Sequence, residues 1–415
     1  METMLGLLAY GAAGNDCGAD LKSIPLGEVI RLAAEQGVWQ LCFAGIKQLV
    51  SSGKLSLDEA DMPFYAELQK RFMQSCILHE QKNGAVQEIL TKLSDAGIPC
   101  CLLKGKSLSY MYAHPECRIS SDIDLLVSPE DEQKALTVFR EAGFSVEHRG
   151  TTSNHDKLEH PKIGVVELHI SLYYDIEHDV WFDNMNMQQE PFMQKDGMTV
   201  LGITDGYLYT LLHAVRHFVR SGLGVKQILD VLLYEKYYKN ELDEARIRDT
   251  LTHLKYMEFL NTVKGFGVTY LGFSESDFLP FSYDAEKVKR LFEDVAAGGV
   301  FGKKEDRSDC FDLYNAVRFA TFKNEDYQSF MTKWYRKKAA NSFSFGLKNM
   351  KKRYPYAEKH IFLMPVAWIH HVFTIGIAVS RKISNIGKSI KYTAPEPKDA
   401  LMQERMDLYK YFDMM

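Results

Sequence analysis

RISSDIDLLV, residues 118–127, sets two aspartates, Asp122 and Asp124, at the head of an apolar run. On a strand, residues two apart leave the same face, with Cα atoms about 6.6–6.8 Å apart. Two carboxylates so placed repel unless a cation lies between them. Leu125, Leu126 and Val127 carry the strand into a buried sheet and leave its acidic end at the edge. Hard-metal sites for Mg²⁺ and a polyphosphate are commonly built this way. Taken alone, the Asp-x-Asp spacing fits a solvated or helix-capping pair equally well.

Its neighbours narrow the choice. Upstream lies LLKGKS, residues 102–107, whose last three residues look like the end of a P-loop. A P-loop needs glycine five positions before Gly105, and Cys100 stands there. Residues 98–104 (IPCCLLK) instead read as a short buried strand, and Gly105 as its turn into a helix over 107–114. The N–H groups that open a helix can hold phosphates. Lys104 and Arg118 bring cations close to the aspartates in sequence, and Glu167 in GVVELHISL (164–172) offers a third acid on a later predicted strand. His169, two residues on, shares the face of Glu167 and reads as either a phosphate- or carboxylate-orienting group or a structural histidine.

Working outward, residues 26–96 carry helical periodicity, which ends at Gly97 before Pro99. Residues 129–143 read as a helix with Pro first, acids in its opening turn and glycine at its end. Strands are predicted at 122–128, 144–148 and 164–172. From about 203 the helical period returns in TDGYLYTLLHAVRHFVRSG, with Thr204 as its N-cap, and in VKQILDVLLYEKYYK. The expected fold is α+β, a small mixed-sheet core flanked by helices. Its parts are an N-terminal helical region (1–96), the core (97–200), a helical domain (201–345) and a basic helical tail (346–415).

LLKGKSL, then R-x-S-S-DIDLLV, then VVELH resemble the polymerase-β-like nucleotidyltransferase superfamily. With His213-Ala-Val-Arg-His217 and Leu363-Met-Pro-Val-Ala-Trp368 added in order, the chain more closely resembles the bacterial uncharacterised nucleotidyltransferase family. The resemblance runs from about 70 to 382. It implies a pyrophosphate-releasing transfer of an NMP, with AMP favoured, from an NTP to a hydroxyl of an unassigned small-molecule or protein acceptor. In that reading Asp122, Asp124 and Glu167 are the catalytic carboxylates and hold Mg²⁺ or Mn²⁺. Gly105 and Ser107 hold phosphates, with Lys104, Lys106 and Arg118 beside them. Lys106 is a departure, because the superfamily pattern has Gly-Ser where this chain has Gly105-Lys106-Ser107. That departure leaves open a member that keeps the fold without the activity.

On the acceptor side the candidates are His169, His213, His217 and Asp230. His213 and His217, at i and i+4, have a spacing that can bind zinc, but no third ligand is evident and structural histidines are the leading reading. Asp230 reads first as a buried partner of Arg216 or His217 and second as an acceptor-binding acid.

Composition sets the remaining bounds. A chain of 415 residues, 46 % hydrophobic and 25 % charged, has the make-up of an ordinary soluble protein. Its 7 cysteines form no C-x-x-C pair, which argues against a zinc cluster and for a reducing compartment. A signal-peptide n-region is missing from the first residues, so the expected location is cytoplasmic. Residues 346–392 hold nine Lys or Arg against one acid, Glu358, in a chain of net charge −5. Within them, the apolar run 361–379 is interrupted by Pro365 and reads as a packed helix, with peripheral membrane or nucleic-acid contact as the lesser reading. Two further functions compete: a non-catalytic binding or scaffold protein, and a DxD glycosyltransferase, which ordinarily has a nucleotide-sugar α/β domain ahead of its acids.

Overall fold

The computed structural model describes residues 1–120, 122–147, 155–172, 190–195, 197–220, 222–298, 314, 363–370 and 400–415. Its strands are β1 (Cys100–Leu102), β2 (Asp122–Val127), β3 (Ser145–Glu147), β4 (His155–His160), β5 (Gly164–His169), β6 (Met193–Lys195) and β7 (Met198–Val200). They form one mixed sheet of order β3-β4-β5-β2-β1-β7-β6, so the acidic strand is central. β2 runs parallel to β5, and β1 parallel to β7; the other pairs are antiparallel.

The helices are α1 (Glu2–Leu8), α2 (Leu26–Glu35), α3 (Trp39–Ser51), α4 (Met62–Asp95), α5 (Lys106–Ser109), α6 (Glu132–Glu141), α7 (Ile203–Arg220), α8 (Val225–Tyr238), α9 (Glu244–His253), α10 (Met257–Tyr270) and α11 (Ala285–Ala297). The fold is therefore α+β, as the sequence predicts. One sheet face packs on helices: Ile123, Leu125 and Val127 of β2 and Val166 and Leu168 of β5 bury against Val86, Ile89 and Leu93 of α4 and Ala135, Leu136 and Phe139 of α6. A pleated strand sends alternate residues to opposite faces, so Asp122, Asp124, Glu167 and His169 point away from that core.

The structure departs from the sequence reading in two of its helices. The predicted helix over 107–114 is only the four residues of α5. Thr204 does not cap α7: the carboxylate of Glu190 accepts the N–H groups of Thr204 (2.7 Å) and Asp205 (3.1 Å), and the Thr204 hydroxyl accepts from the Asp243 N–H (3.1 Å). A charged acceptor supplied from elsewhere in the chain displaces the local hydroxyl.

The chain falls into two units, Met1–Ser308 with Leu408–Met414, and Asp309–Asp407 with Met415. Residues 408–414 belong to the first unit's core, where the Tyr409 hydroxyl donates to the Val219 carbonyl (2.8 Å) and Phe412 meets Phe218. In the second unit, residues 364–370 are helical. The rest of the predicted basic stretch, 346–392, lies outside the described residues. Among the described residues no helix is long and apolar enough to cross a membrane.

Candidate active site

Parallel pairing puts Asp124 directly opposite Glu167, with Asp122 one step along the same face. One oxygen from each of Asp122, Asp124 and Glu167 lies within 4.8 Å of the others. Asp124 is 1 % exposed, and its Oδ2 has no hydrogen-bond partner among the described residues. A buried carboxylate oxygen left so costs free energy unless a cation or donor completes it.

Two basic groups already face the acids. Lys104 Nζ lies 3.2 Å from Asp124 Oδ1 and 3.6 Å from Asp122 Oδ2. His169 Nε2 lies 3.1 Å from Asp124 Oδ1 and 3.5 Å from Glu167 Oε2. Burial alone would lower the Lys104 ammonium, but the carboxylates of Asp124, Asp122 and Glu167 outweigh it and raise its pKa. His169 follows the same balance, with burial opposed by hydrogen bonds to Asp124 and Glu167, and its pKa is raised. Glu167 goes the other way: burial would raise it, and His169, His155 and Lys104 hold it below its ordinary value. His155, on β4, reaches Glu167 Oε1 at 3.7 Å, and burial lowers its own pKa.

Gly105 bends the chain between β1 and α5 with φ +82°, in the left-handed region that favours glycine. A Cβ there would meet Ser120 at ordinary contact distance, 3.4 Å from its Oγ, so the backbone conformation rather than space is what favours glycine. Ser107 is 5 % exposed, and its hydroxyl has no partner among the described residues. Lys106 is half-buried and makes no ion pair among them.

Beside the acids lies a cleft enclosing about 650 Å³, part of it open to solvent. Lys104, Arg118 and Asp122 border it from the core, with His213 and His217 of α7 and Lys226, Gln227 and Asp230 of α8 opposite. The Arg118 Nε and Nη2 donate to Asp230 Oδ1 (3.0 Å) and Oδ2 (2.7 Å), and the Tyr112 hydroxyl donates to Oδ1 (2.6 Å). Asp230 thus pairs with Arg118, not with Arg216 or His217. The reason is geometric: a guanidinium fork reaching across from the core matches both carboxylate oxygens, which a neighbour on the next helix need not do.

His213 and His217 approach each other, Nε2 to Nε2, at 3.0 Å. Burial, and after it Lys104, pushes His217 down to about 4 and His213 well below its ordinary value, so both imidazoles are neutral near pH 7. One of them then donates and the other accepts. Neither belongs to a cluster of metal-ligating groups among the described residues. Burial, and next the Arg118 guanidinium, pushes Lys226 down to about 8.

The structure therefore brings Lys104, Asp122, Asp124, Glu167 and His169 together on one face of the sheet, with Arg118 in the adjoining cleft and His213, His217 and Asp230 on the facing helices, while Gly105, Lys106 and Ser107 form the turn that follows β1. Sequence reading did not single out His155, Lys226 or Gln227. His155 lies in HDKLEH, too polar to suggest a strand. A usable signal existed for Lys226, which stands four residues before Asp230 and so on the same helical face.

A family model described as "Uncharacterised nucleotidyltransferase" matches residues 22–263, more than half of the chain. No curated protein and no solved structure matches it.

Proposed function

The chain belongs to the uncharacterised nucleotidyltransferase family, and from that premise we propose that it is a metal-dependent enzyme of the polymerase-β-like superfamily. It moves an NMP, AMP first among the candidates, from an NTP to an acceptor hydroxyl. The observation that carries this reading is the convergence of Asp122, Asp124 and Glu167 within 4.8 Å on paired parallel strands.

The donor set fits Mg²⁺ or Mn²⁺: three carboxylates, with one buried oxygen of Asp124 lacking a partner. When bound, the ion supplies charge neutralisation at the triphosphate and acidifies the attacking hydroxyl. The chain's own groups do the positioning. Lys104 lies against both aspartates as their counter-ion, and His169 fixes the rotamers of Asp124 and Glu167. Gly105 and Ser107 approach the β- and γ-phosphates, the unpartnered Ser107 hydroxyl being a donor without other work. Attack by the acceptor oxygen on the α-phosphorus forms one P–O bond and breaks the bond to pyrophosphate; Glu167, held ionised by its neighbours, receives the hydroxyl proton. Helices after residue 203 form the acceptor side.

One observation favours a second reading. Lys104 already supplies a cation to both aspartates, as it would in a member that binds without catalysis. The two readings separate in one assay: purified protein, α-labelled NTPs, Mg²⁺ or Mn²⁺, and cell extract as acceptor source. The enzyme reading predicts labelled product and released pyrophosphate, with Asp124→Asn lowering the rate by about 10²–10³-fold, as when a charge-stabilising group is removed. No transfer under any metal condition, or transfer unchanged in Asp124→Asn, contradicts it.

A further inference from the structure

The two anions that border the cleft beside Asp122 are already matched. Asp122 faces Lys104, and Asp230 takes both the Arg118 fork and the Tyr112 hydroxyl. Three groups remain. Lys226 makes no ion pair or hydrogen bond among the described residues, although burial lowers its ammonium. Arg118 is 3 % exposed, and its third nitrogen, Nη1, is buried without a partner among the described residues. Gln227 is 8 % exposed, and its Oε1 likewise has no partner among the described residues.

All three border the same cleft, and two of them stand in the first turn of α8, a 14-residue helix. Gly224 precedes that turn and gives no side-chain cap, and the opening N–H groups of a helix have no acceptor within the helix itself. A helix start, a guanidinium N–H and an ammonium in one recess favour a tetrahedral oxyanion. The amide of Gln227 can turn either its oxygen or its NH₂ group towards what binds.

We propose that Lys226, Arg118 Nη1 and the first turn of α8 form a phosphate-binding subsite in this cleft. Resting on the transferase reading, the phosphate belongs either to the nucleotide's triphosphate or to a phosphorylated acceptor. Lys226 is a substrate-binding residue in both cases. The neutral imidazoles of His213 and His217 line the recess without adding charge of their own.

Calorimetric titration of the full chain without divalent metal tests this, using tripolyphosphate, ATP and ribose 5-phosphate as probes. Lys226 makes no ion pair or hydrogen bond among the described residues, so Lys226→Gln should fold, which its thermal unfolding would verify. Wild type should bind at least one probe, Lys226→Gln should bind it about tenfold or more weakly, and Lys226→Arg should keep most of the affinity. Weakened binding of ATP and tripolyphosphate assigns the subsite to the triphosphate, whereas weakened binding of ribose 5-phosphate alone assigns it to the acceptor. Equal affinities in wild type and Lys226→Gln, or no binding of any probe by wild type, overturn the subsite. Phosphate binding that depends on Lys226 in a protein without transfer activity would sink the transferase reading and leave the subsite standing.

Discussion

Lys104 is the residue on which the electrostatics of the site turn. Its ammonium lies within reach of both aspartates, one of them almost wholly buried. Replacing it by methionine leaves those carboxylates close together with only His169 beside Asp124 among the described residues, and should cost about 3 kcal/mol in chelator, measured by denaturant unfolding. A metal held by the same carboxylates would then stabilise Lys104→Met more than wild type, because its binding is linked to the folded state. Equal response of both proteins to Mg²⁺ would argue against a shared site. His213 and His217 give a second, pH-dependent prediction. Their folded pKa values are depressed, so the unfolded chain binds more protons between about pH 4 and its ordinary value near 6.5. Stability therefore rises with pH across that window. In His213→Gln/His217→Gln the rise should flatten, and an unchanged slope would contradict the burial argument.

At the scale of elements, β2, α4 and α7 were legible because their patterns are strong: an apolar run after two acids, and long helical periodicities. β4 was not, since HDKLEH offers a single apolar residue, Leu158, and owes its place to pairing with β5. β6 and β7 have three residues each and no period to read. The cap of α7 was misread for a related reason: Glu190 comes from 14 residues earlier, and no local pattern announces it. The acids of the site were legible from spacing and resemblance. The Arg118–Asp230 bond was not, because it joins residues 112 apart in sequence. It ties the stretch before β2 to α8, and both partners are buried. Asp230→Ala would strand the guanidinium and should destabilise the fold by about 3–5 kcal/mol, read from urea unfolding. A loss under 1 kcal/mol would mean that Arg118 finds another partner.

Across the whole molecule, the family match ends at residue 263, yet the first unit continues through α11 and takes in Leu408–Met414. Phe412 is fully buried there, against Phe218 and Phe259. Phe412→Ala should cost about 3–5 kcal/mol, and removal of the last eight residues should lower the unfolding temperature further. A truncated chain as stable as the intact one would place those residues outside the core. The proposed chemistry needs a cation among Asp122, Asp124 and Glu167, and its binding can be measured without knowing the acceptor. Mn²⁺ titration followed by electron paramagnetic resonance, with a non-hydrolysable NTP present, counts the bound ions directly. Saturable Mn²⁺ binding in wild type that is lost in Asp124→Asn is the predicted result; no bound Mn²⁺ in wild type, or equal binding in both proteins, would contradict it.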